Sequence, residues 1–342
     1  MRKLLNILGL KREAMLFDSK LYIIKAILAI ATGYLIGKAL PITRLDMISV
    51  LLGVMYNLEP INMLGIKSGV SQLIASTIGA ACTAILILLF GINVFTIAAG
   101  MALTLFVSLK MNWRMVSPVA IFTCIYMTQY VQLDASGNPS IWLTYRLRVA
   151  ALGLGVIVAI LYNYLFSFLY YRKIAYKRLE FSKGKLINGL EYTQKQLEDG
   201  CQNQGQQYIN LFPSIFNDLD LVYDNISIMI NETKYFLNLL HPEKLKTIQK
   251  VLRYFRDINH LAYDINFTIC SGFKENEFNN NSIELIKESI VELKKLNFAH
   301  GGYEERFIGK QHIESLLNTR IDLNIKSIID ITENVIKEAK NL

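Results

Sequence analysis

Two stretches of this 342-residue chain run without a charged side chain for longer than a helix on a water-facing surface would. One covers Gly69 to Phe90 and the other Val149 to Tyr171. A helix crosses the hydrocarbon of a bilayer in about 20 apolar residues. In lipid, backbone polar groups must be satisfied within the segment itself. Such stretches therefore restrict the fold to buried or membrane-crossing helices.

Apolar runs predict six spans, at Leu21–Ala39, Leu45–Leu58, Gly69–Phe90, Ile92–Leu109, Val116–Val131 and Leu147–Tyr171. The second is short. Pro41, Pro60, Gly91, Pro118 and Pro139 punctuate the boundaries, as helix breakers should. The basic N-terminus reads as the flank of an uncleaved first span, because no short apolar core with a small-residue cleavage site follows it.

Residues 172–342 read differently. Apolar positions such as Leu285, Ile286, Ile290, Leu293 and Leu296 recur at helical spacing. They predict amphipathic helices: a continuation of span 6 to about Glu198, then about Ile215–Leu240, Glu243–Ser271, Ser282–Asn297 and Glu304–Lys340. The expected fold is all-α, with a basic N-terminus at 1–20, a six-helix transmembrane domain at 21–171 and a cytoplasmic helical bundle at 172–342.

Charge supplies the orientation. Residues 1–171 hold 13 Lys/Arg against 5 Asp/Glu, and residues 172–342 hold 23 of each, so the formal charge of +8 belongs to the apolar half. Arg2, Lys3, Lys11, Arg12 and Lys20 precede span 1, and Arg172, Lys173, Lys177 and Arg178 follow span 6. Six spans put both flanks on one side, and the excess of basic residues makes that side the cytoplasm. The basic balance thus reflects membrane orientation, and no nucleic-acid partner is implied. Cys82, Cys124, Cys201 and Cys270 lack metal-type spacing and read as free thiols.

Span 3 and span 6 share a pattern. From Gln72 the chain reads QLIASTIGAACTAILILLF and from Arg148 RVAALGLGVIVAILYNYLF. Gly79 falls on Gly155, Phe90 on Phe166 and Gln72 on Arg148. The offset is three spans, so the match implies a 3+3 inverted repeat, a recurring transporter design. Arg148, Ala151, Gly155, Ala159 and Asn163 share one helix face. Gly79, Gly155, Ala151 and Ala159 are helix-packing candidates, since small residues let helices approach closely. Arg148 and Asn163 lie about 22 Å apart along the axis, as two stations on one path. Polar groups inside a span face a partner or a cavity.

Lys38, Arg44, Arg146 and Arg148 gather near the outer ends and read either as interfacial anchors or as a basic vestibule for anions. Lys25 is expected to snorkel to the inner interface. Asp46 and Glu59 are the carboxylates near span 2, and they read as proton-coupling candidates or solvated helix-end charges. No phosphate loop, HExxH or GxSxG occurs, and the GxG at Gly153–Gly155 lies inside a span with no strand before it. No catalytic residue, metal or cofactor is expected. His241, His260, His300 and His312 are scattered, and His260 with Asp264 reads as a structural pair.

Glu59-Pro60, Ser71-Gln72 and Gly79, followed by Arg148, Gly155 and Asn163, resemble the aromatic acid exporter and fusaric acid resistance family. The six-span layout with a C-terminal helical domain is similar to its single-repeat bacterial branch, whose members carry an aromatic acid exporter C-terminal domain. The resemblance implies a bacterial plasma-membrane protein exporting organic carboxylates of the aromatic class without direct ATP coupling. Arg148, Asn163, Gln72, Arg44 and Arg146 would line its pathway. One departure stands out: Gln72 occupies a position where family members commonly carry an arginine. Plant malate channels resemble the chain more distantly, which keeps a passive anion channel open; a membrane-anchored scaffold is the remaining alternative. Six spans are few for an enclosed path, so a homodimer or larger homo-oligomer is expected.

Overall fold

A computed structural model describes residues 19–59, 61–111, 113–134, 136–199, 207–232, 242–271, 280–298 and 319–342. Pro60, the 200–206 break, Cys201, His241, His300, His312 and the basic residues before Ser19 lie outside them, as do the 233–240 and 304–318 parts of two expected helices. The described residues are helical, with one isolated bridge between Leu133 and Pro139 and no strand. The chain divides into two compact units, one of residues 18–169 and one that includes residues 170–342.

The first unit contains α1 (Ser19–Ala39), α2 (Met47–Asn57), α3 (Asn62–Phe90), α4 (Val94–Met111), α5 (Trp113–Gln129) and the first part of α6 (Ile141–Asp199). Three helical stretches are long and apolar enough to cross a membrane: Lys20–Ala39, Asn62–Phe90 and Ile141–Ser167. Gly91, at φ +70°, ends α3 while its N–H still reaches the Ile87 carbonyl at 2.8 Å. Pro118, expected at a boundary, falls inside α5.

Packing pairs the helices in an instructive way. The first part of α6 packs on α1 and α2, through Ala29, Val54, Leu58, Val158 and Ala159. The second half of α3 packs on α4 and α5. There Gly79 receives Thr104, and Ala80 and Ala84 meet Met127.

The α2–α6 crossing is backbone on backbone. A Cβ on Gly53 would stand 2.7 Å from the Leu152 carbonyl oxygen, and one on Gly155 would run into the Val50 carbonyl oxygen. Ala151 and Ala159 on the same α6 face are fully buried. The small-residue stripe of span 6 is thus the seat of α2.

The second unit holds the rest of α6, α7 (Gln207–Glu232), α8 (Pro242–Cys270), α9 (Asn280–Lys295) and α10 (Arg320–Ala339). Each presents an apolar stripe to a common core, with Leu186, Phe212, Leu219, Phe255, Ile286 and Ile329 all buried. Helix α7 starts before the expected Ile215 and carries Pro213 inside it. A proline removes one backbone bond. Here Phe212, buried beside Tyr192 and Tyr263, holds the segment helical regardless.

Two expectations are corrected in this unit. His260 and Asp264 do not pair: the His260 ring lies tilted against Phe216, centroids 4.2 Å apart, while Asp264 takes the Arg320 guanidinium at 2.9 and 2.5 Å and the Asn324 amide at 2.7 Å. Cys270 is disulfide-bonded, so the four cysteines are not all thiols, although Cys82 and Cys124 are free.

Two predictions follow from the packing. Gly155→Ala should lose about 1–3 kcal/mol, because backbone cannot step aside as a side chain can. Gly153→Ala, whose Cβ would meet only the Leu73 side chain at 3.9 Å, should be near neutral. Thermal unfolding of the detergent-solubilised chain compares them. In the second unit, the Arg320 hydrogen bonds hold the Asp264 carboxyl below the usual carboxylate range. A depressed folded-state value stabilises fully above the unfolded one, near pH 4, and the benefit is lost as pH falls through the depressed value. Asp264→Asn should therefore cost about 0.2–1 kcal/mol at neutral pH for a partly exposed pair. Unfolding curves of the two proteins should converge on acidification.

Candidate functional site

Helix α2 has 11 residues, which is about 16 Å at 1.5 Å per residue. That is roughly half the 30 Å of a hydrocarbon core. A helix this short leaves N–H groups at one end and carbonyls at the other without helical partners. Both ends are buried here, and the polar residues of the first unit collect at them.

At the start of α2, Asp46 is the N-cap. Its Oδ1 accepts the Ser49 N–H at 3.1 Å, and its Oδ2 accepts the Ser49 hydroxyl. A carboxylate suits this place because the helix N-terminus carries partial positive charge. Arg148 of α6 reaches the same point. Its Nη1 donates to Ser49 Oγ and lies 3.7 Å from Asp46 Oδ2. Its Nε donates to Thr123 Oγ1 of α5 at 3.4 Å, and its guanidinium lies over the Tyr126 ring, 4.7 Å from the centroid. Arg148 and Asp46 are 1% and 2% exposed. The Arg148 Nη2 is buried and donates to nothing.

The surroundings are aromatic. Tyr126 stacks on Tyr130 and Trp142 on Tyr145, both at 5.4 Å. The Gln132 amide donates to the Tyr126 hydroxyl at 3.4 Å. The 3-10 turn Thr43–Leu45 leads into the cap and is tied to α1 by Thr43 Oγ1 donating to the Gly37 carbonyl at 2.9 Å.

At the end of α2 three successive carbonyls find side-chain donors. Asn163 Nδ2 of α6 donates to the Asn57 carbonyl at 2.7 Å, Tyr22 OH of α1 to that of Leu58 at 3.1 Å, and Lys25 Nζ of α1 to that of Glu59 at 2.6 Å. Asn163 Oδ1 in turn accepts the Glu59 N–H at 3.0 Å. The Asn57 amide bridges its own helix and α3, donating to the Gly53 carbonyl and to Gln72 Oε1, each at 2.8 Å. Cation and amide donors suit the negative end of the helix.

The expected residues therefore sort into two groups and a remainder. Arg148 and Asp46 meet at the start of α2. Gln72 and Asn163 meet around Asn57 at its end, beside the Glu59 backbone. Gln72 and Arg148 thus belong to opposite ends of the same short helix. Arg44, Arg146 and Lys38 are exposed and join neither group. Lys25 does not snorkel: it is 1% exposed, because the carbonyl it meets replaces water for its ammonium.

Ser49, Asn57, Thr123 and Tyr126 escaped the sequence reading. Asn57 carried a readable signal, an amide within an apolar run, the same signal that marked Asn163. Lys25→Met should remove the ammonium donor from the Glu59 carbonyl and destabilise the first unit by about 1–3 kcal/mol. Hydrogen exchange should then quicken at the amides of residues 57–59 and 61, while α4 and α5 stay protected. No protein-family model, no curated protein and no solved structure matches the chain.

Proposed function

We propose that the chain is a multi-pass membrane transporter that exports small organic carboxylates without direct ATP coupling, with the two polar groups at the ends of α2 marking its path. The observation that carries this reading is Arg148: a buried guanidinium whose Nη2 has no partner, placed where a helix N-terminus also favours an anion. A purely structural arginine would be expected to satisfy all its donors. The face of Tyr126, over which the Arg148 guanidinium lies, and Tyr130 stacked on it favour a flat apolar body on the carboxylate.

Membrane burial is supported by the outward side chains. Ile27, Leu35, Leu88, Leu89, Phe90, Phe95, Leu161 and Leu165 are exposed on the first unit, and water is a poor solvent for so large an apolar surface. All six helices would cross or enter the bilayer in this reading. The exchange of third helices, α6 onto α1 and α2 and α3 onto α4 and α5, fits an inverted repeat of three helices each. A short α2 with both ends buried fits the discontinuous helices that build transporter sites.

The reading places both flanks on the cytoplasmic side of a bacterial plasma membrane, on the strength of their basic residues. The disulfide at Cys270 weighs the other way, because disulfides are rare in reducing compartments. A homo-oligomer would supply the enclosure that six helices alone give poorly.

The test is efflux of carboxylates from inverted or right-side-out vesicles carrying Arg148→Gln. Removing one partner of a buried pair costs about 3–5 kcal/mol, so the charge-neutral double variant Asp46→Asn/Arg148→Gln is the folding control. Both should lose carboxylate efflux while the double variant unfolds at a temperature near that of the wild type. Undiminished efflux from the double variant would remove Arg148 from the path.

A further inference from the structure

The place in front of α2 is built for an anion, and the chain fills it with its own. Asp46 caps the helix, takes the Ser49 hydroxyl and N–H, and faces Arg148. Three features show that the fit is incomplete. The Arg148–Asp46 approach is 3.7 Å, longer than a direct charge-assisted hydrogen bond of about 2.7–2.9 Å. Ser49 stands between them, accepting from Arg148 and donating to Asp46. The second amino group of the guanidinium, Nη2, has no acceptor although it is buried. A bidentate carboxylate would occupy both Nη groups, which Asp46, bound to the helix cap, does not do.

We propose that Asp46 is a resident counter-anion that a substrate carboxylate displaces from Arg148, and that Asp46 takes up one proton when it is displaced. The inference rests on the carboxylate-transport reading above and names how that site is gated: anion and proton bind together and travel in one direction, so export runs on an outward carboxylate gradient and not on proton entry. The physical reason is charge balance. With the pair intact the buried charge sums to zero. A bound carboxylate makes it −1 unless a proton joins, and an unpaired buried charge is costly whereas a protonated carboxyl is not. The proton comes from solvent and goes to an Asp46 carboxylate oxygen; no bond other than that O–H is made. Ser49, which can donate or accept, can then accept from the protonated carboxyl.

The groups that act on Asp46 come from three elements. Arg148 of α6 supplies the positive charge, Tyr126 of α5 brings its phenol and ring, and Ser49 lies on α2 itself. From α1, the Gly37 carbonyl takes Thr43 and holds the turn that carries Asp46. Glu59 plays no part, since it lies at the other end of α2.

The test uses the full chain in detergent and benzoate as the probe. Calorimetric titration in two buffers of unlike ionisation heat counts protons taken up per anion bound. Wild-type protein should take up close to one proton. Its affinity should weaken by about tenfold for each unit of rising pH over the range where Asp46 is ionised when free and protonated when displaced. Asp46→Asn keeps an N-cap acceptor and removes the charge. It should bind benzoate at least as tightly as wild type, with no proton uptake and no pH dependence. Binding to wild type without proton uptake, or proton uptake that survives in Asp46→Asn, would overturn the inference while leaving carboxylate binding in place. Absence of benzoate binding by the wild type at every pH would overturn the transport reading and this inference together. The wild-type proton count stands by itself if the variant does not fold.

Discussion

The first unit is organised around the unmet hydrogen bonds of one short helix. Helix α2 is too short to bridge a hydrocarbon core, yet both its ends are buried. Burial withdraws water from the free N–H groups at one end and the free carbonyls at the other. Side chains from α1 and α6 answer the carbonyl end, while Asp46, with Arg148 of α6 and Thr123 of α5 gathered around it, answers the amide end. The Gly53–Gly155 contact lets α6 lie close enough to serve both ends from one face. Arg148 and Asn163, about 22 Å apart along α6, lie far enough apart on that face to reach both ends of the roughly 16 Å helix between them.

Much of this was legible in the sequence. The apolar runs gave helices close to those observed, and the second was already seen to be short. Arg148, Gly155 and Asn163 stood out because polar and small residues in an uncharged stretch need a reason. What the sequence could not supply was pairing. Asp46 and Arg148 are far apart along the chain, and nothing in their local context says that one faces the other. Arg44 and Arg146 carry the same charge as Arg148 and lie nearby, yet they point outward. The helix phase that buries one and exposes the others is set by where α2 packs, a tertiary fact. Lys25 was misread for a related reason: its aliphatic stem permits snorkelling, and only the break after α2 shows a carbonyl close enough to hold it.

The two ends of α2 differ in chemistry in a way that bears on mechanism. The start holds one cation, one anion and a donor left over. The end holds an ammonium on a carbonyl and amides in mutual hydrogen bonds, which fix geometry more than they offer a site. A path for an anion would therefore be selective at the Arg148 end and mechanical at the Lys25 end. In the second unit, polar pairs such as Lys185 with Asp218 at 3.1 Å and Asp264 with Arg320 hold its helices together.

The most direct measurement is benzoate flux in liposomes reconstituted with the wild-type chain, with and without an imposed pH difference. The account predicts benzoate movement, faster than in protein-free liposomes, that runs uphill in the direction in which the pH difference drives protons and stops when a protonophore collapses it. Flux that merely follows the benzoate gradient, or large currents indifferent to pH, would contradict it in favour of a channel. No flux at all would leave the polar clasp of α2 as architecture alone.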